Sequence, residues 1–285
     1  MLFAIATAIS IITSVIWLTF IYKLDRYNKE PFLFMLKTFV AGALFSFLAL
    51  VLNTFFSKML GNGYGMLLVG LVEEGVKILA FYAVVYKSKE FDEPLDGVLY
   101  AGIVALGFGF AENILYNMQI MKITNHATAS LIIRGFMPFV HVLFASVWGY
   151  AIGEQKRYIA GKKMVFAAYI IAAAAHSFYD ISAFVFPLFS LVIVIVLLFL
   201  FIGKIKNLNR VSPYNNFYLI NCPNCKAKIK ENSQFCPNCS KKIFIFSGLY
   251  KIYCPNCQQS VLRSWKFCKN CGKELNKFNK ERGDE

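Results

Sequence analysis

The stretch FLFMLKTFVAGALFSFLALVLNTFF, Phe32–Phe56, decides the fold, because its 25 residues hold a single charge, Lys37. A helix needs roughly 20 mostly apolar residues to cross the hydrocarbon core of a bilayer. Working outward, the same pattern recurs at Leu2–Tyr22, Tyr64–Tyr86, Leu95–Met121, Leu131–Gly153, Met164–Ser182 and Phe186–Gly203, so seven spans are expected. At 58% hydrophobic and 16% charged residues, the 285-residue chain is too apolar for an ordinary soluble domain. The first block has no basic residue before it and is too long for a signal peptide, so it reads as a retained span. The expected fold class is an all-α polytopic transmembrane helix bundle over residues 1–205. A linker at 206–219 and two small β-type zinc ribbons at 220–243 and 252–275 follow it.

Basic residues set the expected orientation. Lys23, Arg26, Lys29, Lys87, Lys89, Lys156, Arg157, Lys162 and Lys163 follow the first, third and fifth spans, whereas only Lys58 and Lys122 follow the second, fourth and sixth. This bias places the N-terminus outside and the tail in the cytosol of a multi-pass cell-membrane protein. Residues 212–285 hold 13 Lys or Arg against 5 Asp or Glu. A tail so basic, next to a membrane, suits anionic lipid headgroups or a cytosolic protein partner. Beyond charge, nothing points to nucleic acid.

All eight cysteines lie in that tail. Cys222, Cys225, Cys236 and Cys239 form C-x2-C-x10-C-x2-C, and Cys254, Cys257, Cys268 and Cys271 repeat the spacing. Each pair forms a turn aiming two thiolates at one point, and two turns complete a tetrahedral Zn²⁺ site. A unit of about 25 residues cannot fold on a hydrophobic core alone, and zinc binding supplies on the order of 10–16 kcal/mol in such peptides. A disulfide framework does not suit a reducing cytosol. With four thiolates each site is closed, so both zinc ions are expected to be structural.

Within the spans, ionisable groups cost roughly 2.5–3.5 kcal/mol each on insertion scales and are functional suspects. Lys37 and Arg134 lie near span ends and can snorkel, while Asp96 follows Pro94 at a helix start. Glu73, Glu74, Glu112, His141 and His176 resist such explanations. Counted along each span, they fall roughly 9–15 Å below the outer surface. Glu73 and Lys77 are four residues apart and can pair. His176 and Asp180 have the same spacing, so Asp180 can orient the imidazole. Ala101, Ala105 and Gly109 form a small-residue stripe that permits close packing, and Pro138 precedes His141 where a kink can open.

The pattern Glu73-Glu74-x-x-Lys77, Phe108-x-x-x-Glu112-Asn113, Arg134-x6-His141 and His176-x-x-x-Asp180 resembles the PrsW family of intramembrane proteases. The stretch from Phe91 through Asp96 to Gly102 is similar as well. The resemblance covers roughly residues 1–205; the ribbons lie outside it. It implies peptide-bond hydrolysis within or at the edge of the membrane, on a membrane-anchored protein such as an anti-sigma factor, from the outer side. The family is distantly related to the CAAX prenyl proteases, whose pattern has a histidine where this chain has Glu112, so no prenyl-protein substrate is implied.

The expected mechanism is of glutamic type. One carboxylate of the Glu73–Glu74 pair takes a proton from water and its partner protonates the leaving amine, with Glu73 as base beside Lys77. His141 and His176 hold the water or the oxyanion, Glu112 and Asn113 position substrate or complete the proton network, and Arg134 and Asp180 support the site. No catalytic metal is expected, because the i,i+4 His pair of helical metalloproteases is missing; two His and a Glu nonetheless form a plausible metal set. Alternative classes are a proton-coupled transporter and a non-catalytic scaffold recruiting partners through its ribbons.

Overall fold

The computed structural model describes residues 2–123, 128–158 and 161–212, with parts of the tail: 214, 219–222, 224–230, 236–241, 251–253, 256–257, 260–262 and 270–274. Seven helices occupy the described part of the apolar region: α1 (Leu2–Leu24), α2 (Phe32–Leu60), α3 (Asn62–Val84), α4 (Pro94–Ile123), α5 (Thr128–Tyr158), α6 (Lys162–Val185) and α7 (Pro187–Val211). All but α3 are long and apolar enough to cross a membrane. Glu73, Glu74 and Lys77 put three charges within five residues of α3.

The chain divides into two units, 1–209 and 210–285. In the first, α4 is central. Val98 to Leu106 are buried without interruption, and the small residues among them let neighbours approach. A helix apolar on every side is buried on every side. α2 and α4 touch backbone to backbone, where Gly42 faces the Val104 carbonyl and Gly107 faces that of Phe39. Gly109 lies against Pro138, so the small-residue stripe of α4 seats α5 one turn before His141. The outer faces of α1, α2 and α7 expose Ile12, Leu33, Val51 and Phe199 by 60%, 78%, 65% and 72%. Apolar faces of that extent are solvated by lipid tails rather than by water.

The loops joining α1 to α2 and α3 to α4 are tied to the bundle. Asp25 accepts the Tyr27 and Asn28 N–H groups at 3.0 and 3.1 Å. Tyr100 donates its hydroxyl to Glu30, and Lys156 donates to the Phe91 carbonyl. Asp96 accepts N–H bonds from Asp92 and Glu93, both at 2.8 Å, reaching back from the first turn of α4.

α7 continues to Val211, so the stretch read as linker at 206–219 begins as helix. Its Asn209 donates to the Leu24 carbonyl at 2.9 Å and accepts from Arg26 N–H at 3.2 Å, which gives the polar turn a packing role.

In the second unit, β1 (Leu219–Asn221) pairs antiparallel with β2 (Lys228–Lys230), and β3 (Lys251–Tyr253) pairs with β4 (Ser260–Leu262). Each hairpin belongs to one cysteine set. The first set converges: the sulfurs of Cys222, Cys225, Cys236 and Cys239 all lie within 4.8 Å of one another. Lys226 and Ser240 take positive φ of 59° and 55° just after each cysteine pair. Their N–H groups return to the carbonyls of Cys222 and Cys236 at 2.9 and 2.8 Å, closing the turns that aim the thiols. The Asn238 amide, 3.5 Å from the Cys225 sulfur, is the main cause that draws this thiol down to about 6 and favours the ligating thiolate. Of the second set, Cys257 and Cys271 are described, whereas Cys254 and Cys268 lie outside the described residues.

Candidate active site

Four helices deliver the ionisable groups of the spans to one place. Glu73, Glu74 and Lys77 come from α3, Glu112 from α4, His141 from α5, and His176 and Asp180 from α6. Glycine makes the α3–α6 approach possible. Gly70 lies one turn before the glutamates and has the Ala173 carbonyl and Ser177 where a side chain would stand. Its N–H donates to Ser177 Oγ at 3.0 Å, and that hydroxyl donates on to the Leu67 carbonyl at 2.9 Å. Tyr169 of α6 donates to the Leu71 carbonyl at 2.8 Å. With the two backbones so joined, His176 is held directly over the glutamate pair.

The two glutamates have different surroundings, as their roughly 100° separation around a helix requires. Glu74 is fully buried and fully engaged. Its Oε1 receives Lys77 Nζ at 2.7 Å and His176 Nδ1 at 2.9 Å, and its Oε2 receives Trp148 Nε1 at 2.8 Å. Glu73 is the less committed carboxylate. Asn53 Nδ2 donates to its Oε1 at 3.2 Å, while its buried Oε2 has no hydrogen-bond partner. That Oε2 faces Lys77 Nζ and His176 Nε2, each at 3.8 Å.

Lys77 therefore has a different principal partner from the one its i,i+4 spacing suggests: Glu74, three residues away, is closer than Glu73. The orienting partner of His176 also differs. Asp180 stands 3.7 Å from Nε2, beyond direct hydrogen-bond reach, whereas Glu74 holds Nδ1. Because a carboxylate only accepts, Nδ1 carries the proton and a neutral His176 ring presents a lone pair at Nε2. Phe144 stacks on that ring at 4.5 Å and 14° and fixes its plane.

His141 is turned the opposite way. The Lys77 ammonium lies 3.1 Å from Nδ1, so Nδ1 accepts and Nε2 carries the proton, with Glu112 Oε2 2.9 Å from Nε2 as its charged neighbour. Phe108 supports the same group, with its ring centroid 4.4 Å from Lys77 Nζ. Arg134 does not snorkel away from the site. Its Nε donates to Asn113 Oδ1 at 2.9 Å, and its guanidinium lies 4.2 Å from the Tyr116 ring centroid, bracing α4 against α5. Glu112 and Asp180 keep 24% and 30% of their side chains exposed and form the open side of the cluster. Glu73, Glu74, Lys77 and His176 form its closed floor.

The sequence signal therefore locates most of the cluster. It misses Asn53 and Trp148, which reach Glu73 and Glu74 from α2 and α5. Asn53 carries a trace of a signal, as an amide in an apolar span. Trp148 carries none, since an indole in a membrane helix is ordinary.

Glu73, His141 and His176 can each offer one ligand atom with all three within 4.8 Å, the spacing of a metal site. Each imidazole is oriented by a carboxylate on its far nitrogen, as metal-binding histidines usually are. The donor types and their orientation fit a divalent ion such as zinc. One contact opposes it: the Lys77 ammonium already lies on His141 Nδ1 and near Glu73 Oε2.

Comparison with known proteins gives the family. Residues 30–203 match the model of the family described as "PrsW family intramembrane metalloprotease", and residues 220–275 match "Double zinc ribbon". The Protease PrsW of Clostridioides difficile (strain 630) is 31% identical over 226 residues, which cover 73% of this chain and 90% of that protein. Those of Geobacillus kaustophilus (strain HTA426) and Bacillus subtilis (strain 168) are 31% and 29% identical, covering 57% and 63% of this chain and 72% and 82% of their own lengths. No solved structure matches. With a buried Glu–His cluster among membrane helices, a family match over most of the bundle and a second match over the tail, this chain belongs to the PrsW family of intramembrane proteases and is a multi-pass membrane peptidase that carries a double zinc ribbon.

Proposed function

We propose that the chain hydrolyses a peptide bond in or beside the transmembrane segment of a membrane-anchored protein, working from the outer half of the bilayer, with Glu73 accepting the proton of the attacking water. The observation that carries this reading is the buried, unpartnered Oε2 of Glu73, 3.8 Å from His176 Nε2. A carboxylate oxygen held in place with no donor of its own can accept a proton from water. The Nε2 lone pair of His176 receives that water's other hydrogen and fixes its position. Glu74 is the keystone rather than the base, since Lys77, His176 and Trp148 occupy both its oxygens. His141 Nε2–H, beside Glu112, is the donor available to a developing oxyanion. Glu73, protonated by that water, then returns the proton to the leaving amine, and Glu112 at the open side completes the polar rim beside His141.

Glu73, His141 and His176 are the residues that would hold a divalent ion, and an ion there would polarise the scissile carbonyl and the water. Such an ion and the ammonium of Lys77 compete for the same lone pair on His141. Metal analysis of a chain lacking residues 212–285 separates the two: a bound equivalent lost in His176→Ala identifies a metal centre, and none leaves Lys77 as the resident cation.

The excess of Lys and Arg in loops 23–29, 87–89 and 156–163 supports a cytosolic tail and an outward cluster. The two cysteine sets support two structural zinc ions in that tail, and its net basicity suits anionic lipid or a cytosolic protein. The central test compares membrane-protein fragments in cells expressing the wild-type, Glu73→Gln or Glu74→Gln chain at matched levels. Both substitutions should abolish the same fragments, and normal fragments from both would refute the reading.

A further inference from the structure

We propose that Asn53 of α2 is a positioning residue for the reaction, clamping one oxygen of Glu73 so that the other stays turned into the site; this rests on Glu73 being the reacting carboxylate. The terminal torsion of a glutamate is broad, so the plane of an unanchored carboxylate rotates away from the orientation that aims an oxygen into the site. Asn53 Nδ2 donates to Oε1 at 3.2 Å, which leaves Oε2 facing His176 Nε2 and Lys77 Nζ. The donor stands on firm ground. Ala49 and Leu52 of α2 pack with Val72, Val76 and Phe108, so the helix turn that carries the amide is locked against α3 and α4. The outward face of that turn carries Val51 and Phe55, 65% and 54% exposed toward lipid. An amide in such a span is costly unless it is hydrogen-bonded, and Glu73 supplies its acceptor.

Three versions of the full-length chain test this in detergent: wild type, Asn53→Ala and Asn53→Asp. The first readout does not depend on catalysis. A hydrophobic carbodiimide should modify Glu73 faster in both variants, as read by peptide mass mapping, because the carboxylate is no longer clamped. Unchanged labelling overturns the proposal. The second readout uses a single-pass reporter chosen for cleavage by wild type and resistance to Glu73→Gln. The kcat should fall about 10- to 100-fold, the range of one hydrogen bond to an ionised group, with KM within about twofold. Asn53→Asp keeps the shape but replaces the donor with an acceptor, so it should be at least as damaging as Asn53→Ala. If Asn53→Asp cleaves like wild type while Asn53→Ala does not, Asn53 only fills space and the proposal fails. Faster labelling without any fall in kcat retains the clamp but removes Glu73 from the reaction, which refutes the reading of Glu73 and not the contact.

Discussion

Gly70→Ala should disable the site without touching any ionisable residue. A methyl group there would stand 2.7 Å from Ser177 Oγ and 2.8 Å from Ser177 N, and closer still to the Ala173 carbonyl. The hydroxyl can turn away, but the backbone cannot. Ordinary contact begins at 3.4 Å, so the Ser177 nitrogen alone requires α3 and α6 to part by at least 0.6 Å. The bond from His176 Nδ1 to Glu74, now 2.9 Å, would open to about 3.5 Å and cease to hold the ring. Losing a hydrogen bond to a charged group costs about 1.5–3 kcal/mol, and misplacement approaching 1 Å in a catalytic constellation can cost roughly 100-fold in rate. The expected result is a 10- to 100-fold fall in reporter cleavage with near-normal protein in the membrane. Gly203→Ala, in open space on α7, is the matched control and should be silent. Full cleavage by Gly70→Ala would show that α3–α6 spacing does not govern the site.

Trp148→Phe removes the donor to Glu74 Oε2 and leaves a buried charged oxygen unsatisfied, so the chain should lose about 1.5–3 kcal/mol, read as a lower Tm in detergent. Glu30, in the α1–α2 loop, has its carboxyl pushed up to about 7, chiefly by burial and further by Asp25 and Asp92. A raised carboxyl pKa means the folded state holds its proton longer than the unfolded state, so stability should decline as pH rises from the ordinary 4.5 through 7. Glu30→Gln should flatten that decline and raise Tm at pH 8 but not at pH 4; the same slope in both chains would rule Glu30 out as its source. Cys225→Ser should lower the zinc content of the purified chain by one ion without stopping reporter cleavage, and elemental analysis beside the wild type decides it.

The apolar blocks and the cysteine spacing were sufficient to read the helices and the ribbons from the chain alone, because both signals are local. A bilayer demands an unbroken apolar helix, and a C-x2-C turn holds its own two thiols. Span edges were less legible. α7 runs on through Lys204 and Lys206 because helix propensity and Asn209's bonds to the α1 end, rather than hydropathy, decide where it stops. The candidate residues were legible too, since a charge in a lipid-facing sequence has few innocent explanations. Their partnerships were not. Spacing pairs Glu73 with Lys77 and His176 with Asp180, since spacing sees only neighbours on one helix. Lys77 instead takes Glu74, its i,i+3 neighbour on the same helix, and the bundle brings His176 to that same carboxylate, while Asn53 and Trp148 reach the glutamates from 20 and 74 residues away. Which glutamate is saturated and which keeps a free oxygen follows from how close Gly70 lets α6 approach α3, and only packing sets that distance.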